Sequence, residues 1–186
     1  MVITISKNQI QAALPKVVVG MHQYLWLQSQ VERGGEFYND PLFQRKYNHF
    51  YRVRRGQEWR KIYFSLMGKA IDEQLTFNKI INHLYTETGR VEASFGSKLF
   101  ATANPAFPVI DSVVYGNLGL ITPGPKHPDR ISVICEQYEI LTKIFNDYLA
   151  KEEGKNLIAE FDMAYPQVKE KLTNQKKLDL VLWQNR

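Results

Sequence analysis

Hydrophobic positions recur along most of this chain at intervals of three and four residues, the period of helices with one apolar face. Leu42, Phe43, Tyr47, Phe50 and Tyr51 share such a face. Before them stands Asp40-Pro41, a capping side chain followed by a proline at the first helical position, where its missing N–H costs no hydrogen bond. The pattern predicts a helix from 41 to about 55, ending at Arg55-Gly56. A second helix is expected over about 58–67, with Ile62, Tyr63 and Leu66 inward. A third carries Leu75, Ile80, Ile81, Leu84 and Tyr85 and stops at Gly89, a glycine placed to cap it. Asp129 is positioned to cap a long helix whose stripe runs through Ile131, Ile134, Cys135, Tyr138, Leu141, Phe145 and Leu149 and ends near Gly154. The last helix carries Leu178, Val181, Leu182 and Trp183. Strand signals are confined to VVVG at 17–20 and the first few residues. The expected class is all-α, either one compact domain over 1–186 or two interleaved lobes hinged at the Pro/Gly-rich segment 121–128. That segment also suits a loop beside a substrate.

Composition narrows the functional classes. With 186 residues, 44% hydrophobic and 23% charged, the chain can bury a sizeable core and reads as folded. No apolar run reaches the roughly 20 residues that span a bilayer, and the opening MVITISKNQIQAALPK lacks a basic region followed by a long apolar run. A cytoplasmic protein with no membrane partner is the expectation. One cysteine, Cys135, excludes an intramolecular disulfide and a multi-cysteine zinc site, and its place on an apolar stripe reads as core. His83 and Glu87 lie at i, i+4, but four scattered histidines supply no third ligand, so no metal and no cofactor are expected. Glu153-Gly154-Lys155 lacks the strand scaffold of a metal nuclease. No glycine-rich nucleotide loop or G-x-S-x-G elbow is present.

A net charge of +5 permits a nucleic-acid partner without requiring one. Its distribution says more. Between Arg45 and Lys61 stand seven Lys or Arg residues against one acid, Glu58, interleaved with Tyr47, His49, Phe50, Tyr51 and Trp59. Cations for phosphates beside rings for bases is the composition of a nucleic-acid groove. On a continuous helix Arg52 and Arg55 share a face, and Arg60 or Lys61 joins them from the next helix. The plainer reading is a helix pair with a solvated basic face and an aromatic inner face.

Candidate chemistry concentrates between Ser94 and Tyr115, SFGSKLFATANPAFPVIDSVVY. Lys98 follows Gly96 by two residues at the expected start of a short apolar helix. A loop bounded by Pro105 and Pro108 then leads to Asp111 at the mouth of another apolar segment. Ser94-Phe95-Gly96-Ser97-Lys98 resembles the G-x-G-x-K hairpin of the helix-hairpin-helix DNA glycosylases, with Ser94 in place of the first glycine. Pro108-Val109-Ile110-Asp111 is similar to the segment that bears their catalytic aspartate. Lys98 and Asp111 are 13 residues apart, a shorter interval than that family usually has. The resemblance implies a turn near 91–103, a nucleophilic Lys98, and an Asp111 that stabilises positive charge on the sugar. It also implies phosphate contacts at Gly96 and Ser97 and a duplex DNA substrate whose target base is flipped out for repair. The other class open to the sequence is a non-catalytic helical binding or interaction protein, in which 94–115 is a core turn.

Overall fold

The structure, a computed structural model, describes residues 2–185. Helix covers 74% of the chain, with no strand among the described residues. In chain order the helices are α1 (Lys7–Arg33), α2 (Pro41–Phe50), α3 (Gln57–Asp72), α4 (Phe77–Thr88), α5 (Ala93–Ala103), α6 (Ser112–Asn117), α7 (Arg130–Ala150), α8 (Glu152–Ala164) and α9 (Asn174–Gln184). Short 3-10 turns lie at Phe37–Asn39 and Pro166–Lys171.

The strand signal at 17–20 is overruled. Those residues lie inside α1, which Ser6 and Gln9 start with a reciprocal capping box. Val17, Met21, Tyr24 and Leu27 recur at helical spacing and are all nearly sealed from solvent. Burial of that stripe outweighs both the β-branched run and Pro15, which sits inside the helix. At α2 the expected cap is found, as Asp40 accepts from the Leu42 amide at 2.8 Å. The helix ends five residues sooner than expected, at Phe50. Tyr51 follows as its cap, Arg52 takes a left-handed φ of 54°, and the Val53 amide donates back to the Asn48 carbonyl. Gly89 closes α4 in the left-handed conformation, as expected.

The apolar stripe expected to run on to Gly154 is broken at Lys151, where the chain turns into α8. Gly154 makes that corner possible: a Cβ there would stand 2.2 Å from the Tyr148 carbonyl oxygen. Asp129 holds the cap position of α7 but makes no side-chain capping bond. Cys135 is half-buried beside the core, and the Asn78 amide donates to its sulfur at 3.4 Å.

Buried residues from Ile3 to Val181 form a single cluster. Around it α1 packs on α2, α8 and α9, α4 on α5 and α7, and α3 on α4 and α5. Elements on both sides of the 121–128 loop therefore share one core. Its centre is aromatic: Phe43, Tyr47, Tyr63 and Phe64 are almost wholly enclosed. The Tyr47 and Tyr63 hydroxyls bond each other at 2.9 Å, and Tyr63 donates onward to the Phe95 carbonyl of α5.

Candidate functional site

The string read as a hairpin is helix. The turn between α4 and α5 lies at 89–92, and Ser94 through Lys98 form the first turns of α5. Gly96 is therefore a helix-contact residue and not a phosphate-facing turn. A Cβ at Gly96 would stand 2.4 Å from Ile81 Cδ1, so the glycine lets α5 seat closely on α4. Ser97 is fully buried. Neither residue is available to a phosphate, which corrects the two contacts expected there.

The serines do something else. Ser94 Oγ donates to the Ile110 carbonyl at 3.0 Å, and Ser97 Oγ accepts from the Ile110 amide at 2.9 Å. Both backbone polar groups of Ile110 are thus satisfied from α5. From α7, the Tyr138 hydroxyl donates to the Pro108 carbonyl at 2.8 Å, fixing the other end of the loop. One residue beyond this clamp is Asp111, and one residue beyond Ser97 is Lys98. Ser94 and Ser97, through Ile110, help bring the amine and carboxylate to one place.

That place is a cavity of about 220 Å³ lined by Lys98, Asp111, Arg52, Tyr51, Lys176, Asp179 and Trp183, among others. Each group in it has a physical cause for its position. Lys98 Nζ donates to the Tyr51 carbonyl at 3.0 Å and lies 4.9 Å from the Phe95 ring centre. Burial pushes its amine down to about 8; Asp111 opposes this, Arg52 adds to it, and Asp179 again opposes. Asp111 is the N-cap of α6, its Oδ1 accepting from Val113 and Val114, while Oδ2 accepts from Trp183 Nε1 at 2.8 Å. Arg52, raised on the left-handed residue that ends α2, lies over the Trp183 ring at 5.4 Å.

A second amine, Lys176, sits deeper. It is 7% exposed, pairs with Asp179 at 2.7 Å and lies over the rings of Tyr24, Phe50 and Tyr51. Burial alone would lower its pKa, but Asp179 and Tyr51 hold it above the ordinary lysine value. Lys176 is thus a fixed cation, whereas Lys98 gives up its proton near pH 8. Lys176, Asp179 and Trp183 were not among the expected site residues. Their α9 lies more than sixty positions beyond Asp111, and its alternation showed only an inward stripe.

The remaining expected contacts do not form one surface. Because α2 ends at Phe50, Arg52 and Arg55 are not one helix turn apart on a shared face. Arg52 borders the lysine cavity, and Arg55 faces a different cleft, paired with Glu92 at 2.9 Å. Arg60 and Lys61 border a third depression with Arg45 on α2, and Lys61 pairs with Glu58. Among the described residues no group of three or more His, Cys, Asp or Glu side chains could hold a metal, and no helix is long and apolar enough to cross a membrane.

The class defined by fold and site is an all-helical protein with a partly desolvated lysine and an aspartate sharing a cavity of about 220 Å³. No protein-family model matches the chain, and comparison with curated proteins and with solved structures gives no match.

Proposed function

We propose that this protein is a DNA-binding enzyme of the glycosylase/lyase type, with Lys98 as nucleophile and Asp111 as its electrostatic partner. The observation that carries the reading is the Lys98 amine, held near pKa 8 in the same cavity as the Asp111 carboxylate. A lysine acting as a nucleophile must be neutral, and a free lysine titrates near 10.4, so a lowered value is the first requirement of amine chemistry. The cavity volume of about 220 Å³ suits a single sugar or base rather than a larger ligand.

On an abasic sugar, the neutral Lys98 nitrogen attacks the C1′ aldehyde, a carbinolamine forms, and loss of water leaves an imine. On an intact nucleoside, the N–C1′ bond forms as the bond to the base breaks, and the base leaves with the electron pair and takes up a proton. In both cases positive charge grows at C1′ or on the attached nitrogen. Asp111 is held still by Val113, Val114 and Trp183, so its charge is preorganised for that moment.

A strand-cleavage assay on an abasic duplex tests this. From the protonated imine a C2′ proton is lost to solvent and the C3′–O bond breaks, the phosphate leaving with the electron pair. This cleavage is expected to rise with pH toward 8, as the free amine accumulates, and to vanish in Lys98→Ala. Equal cleavage by the parent and that variant removes the lysine from the chemistry. The second reading, a non-catalytic binding protein, is favoured by the hydrogen bonds that already occupy Lys98 and Asp111. Absence of cleavage and of any Lys98 adduct would leave that reading standing.

A further inference from the structure

We propose that the cleft between the α4–α5 turn and the start of α7 binds phosphodiester groups of the strand whose sugar reaches Lys98, an inference that rests on the nucleic-acid reading above. The cleft has a volume of about 500 Å³ and is lined by Arg55, Arg90 and Arg130, each from a different segment, with His127 beside them. Two carboxylates also line it. Glu92 is taken up by Arg55 at 2.9 Å, which leaves Asp129 against Arg90 and Arg130. Neither Arg90 nor Arg130 enters an ion pair among the described residues.

Arg130 is half-buried, and its Nε is enclosed without a hydrogen-bond partner, as is Nε of Arg55. A partly desolvated guanidinium that makes no ion pair, as at Arg130, is a costly arrangement that an anionic ligand relieves. Guanidinium groups match phosphate oxygens in a planar, two-pronged geometry. His127 Nδ1 accepts from the Asp129 amide, so in the neutral ring the proton is on Nε2, which is a further donor. The cleft and the lysine cavity share no lining residue, but two short segments each contribute to both. Arg52 and Arg55 belong to the same connection between α2 and α3, and Glu92 and Ser94 to the start of α5. A strand lying over that connection meets guanidinium groups on one side and the Lys98 cavity on the other.

The test is fluorescence anisotropy of a labelled abasic duplex across a salt series, using the full chain and the variants Arg90→Ala and Arg90→Ala/Arg130→Gln. Arg90 is exposed, so its replacement leaves folding intact, and circular dichroism checks the double variant. The double variant is expected to bind at least about tenfold more weakly, with the salt slope flattened by about one unit per lost phosphate contact. Unchanged affinity and slope, or no duplex binding by the parent at low salt, overturns the proposal. So does stabilisation by adenosine monophosphate without duplex binding, which would assign the cleft to a free phosphate ester. Weakened binding in the variant with no Lys98 adduct in the parent keeps the cleft and removes the lysine chemistry. An adduct in the parent with unchanged variant binding does the reverse.

Discussion

Three side chains give the account its sharpest tests at the scale of single residues. The unfolded chain holds the Lys98 proton up to about pH 10.4, whereas the folded protein releases it near pH 8. Between those values the unfolded state binds more protons, so this group's contribution makes stability rise with pH across the window. Below pH 8 its full cost is present. Lys98→Met is therefore expected to raise the melting temperature at pH 7, by an amount equivalent to about 1 kcal/mol after allowing for solvent screening, and the gain should fade toward pH 10. A variant less stable than the parent at pH 7 would mean that the bond to the Tyr51 carbonyl outweighs the burial cost. Arg52 carries a different tension, a non-glycine residue at φ 54° at the end of α2. Arg52→Gly should stabilise the fold by about 0.5–1 kcal/mol in urea denaturation while weakening duplex binding. Improved binding would contradict the placing of Arg52 at the cavity mouth. Ser97→Ala strands the buried Ile110 amide and should cost about 1–3 kcal/mol, with cleavage lost faster than stability as Asp111 loosens.

At the scale of elements, glycines mark where helices meet too closely for a side chain. Gly154→Ala pushes a Cβ against backbone at the α7–α8 corner, and should cost about 2–4 kcal/mol by chemical denaturation. Gly116→Ala, where a Cβ meets nothing within 4 Å, should be neutral or stabilise α6 by up to about 1 kcal/mol. Equal costs at both positions would refute the corner explanation. These contrasts also explain what the sequence disclosed. Caps made by one residue and its neighbours, Asp40-Pro41 and Gly89, were legible because their physics is local. The first helix was not, since Pro15 and the valine run speak against helix locally, and only burial of Val17, Met21 and Tyr24 decides the matter. Nor was the break at Lys151, where the apolar stripe continues and only Gly154's close approach betrays the corner. In the site, Lys98 and Asp111 were legible as a pair, yet the reason they meet was not. Ser94 and Ser97 join them through a loop residue, and Trp183 reaches Asp111 from a helix that is local to neither.

For the whole molecule, the basic charge is distributed around several depressions rather than gathered on one helix face. Arg52 borders the lysine cavity, Arg90 and Arg130 the neighbouring cleft, and Arg60 and Lys61 a third. Binding to duplex should accordingly respond to Arg52 and Arg90 and little to Arg60 and Lys61. Anisotropy titration of Arg60→Ala/Lys61→Ala, expected within about twofold of the parent because exposed charges contribute little individually, checks this. A large loss there would return the interface to the α2–α3 face. The proposed chemistry depends on one amine, Lys98. Borohydride reduction of the protein mixed with an abasic duplex, followed by peptide mass mapping, tests it most directly. The expected result is a covalent adduct located on Lys98, more abundant at pH 8 than at pH 6.5 and absent in Lys98→Ala. No adduct, or one spread over exposed lysines and unchanged in that variant, would contradict it.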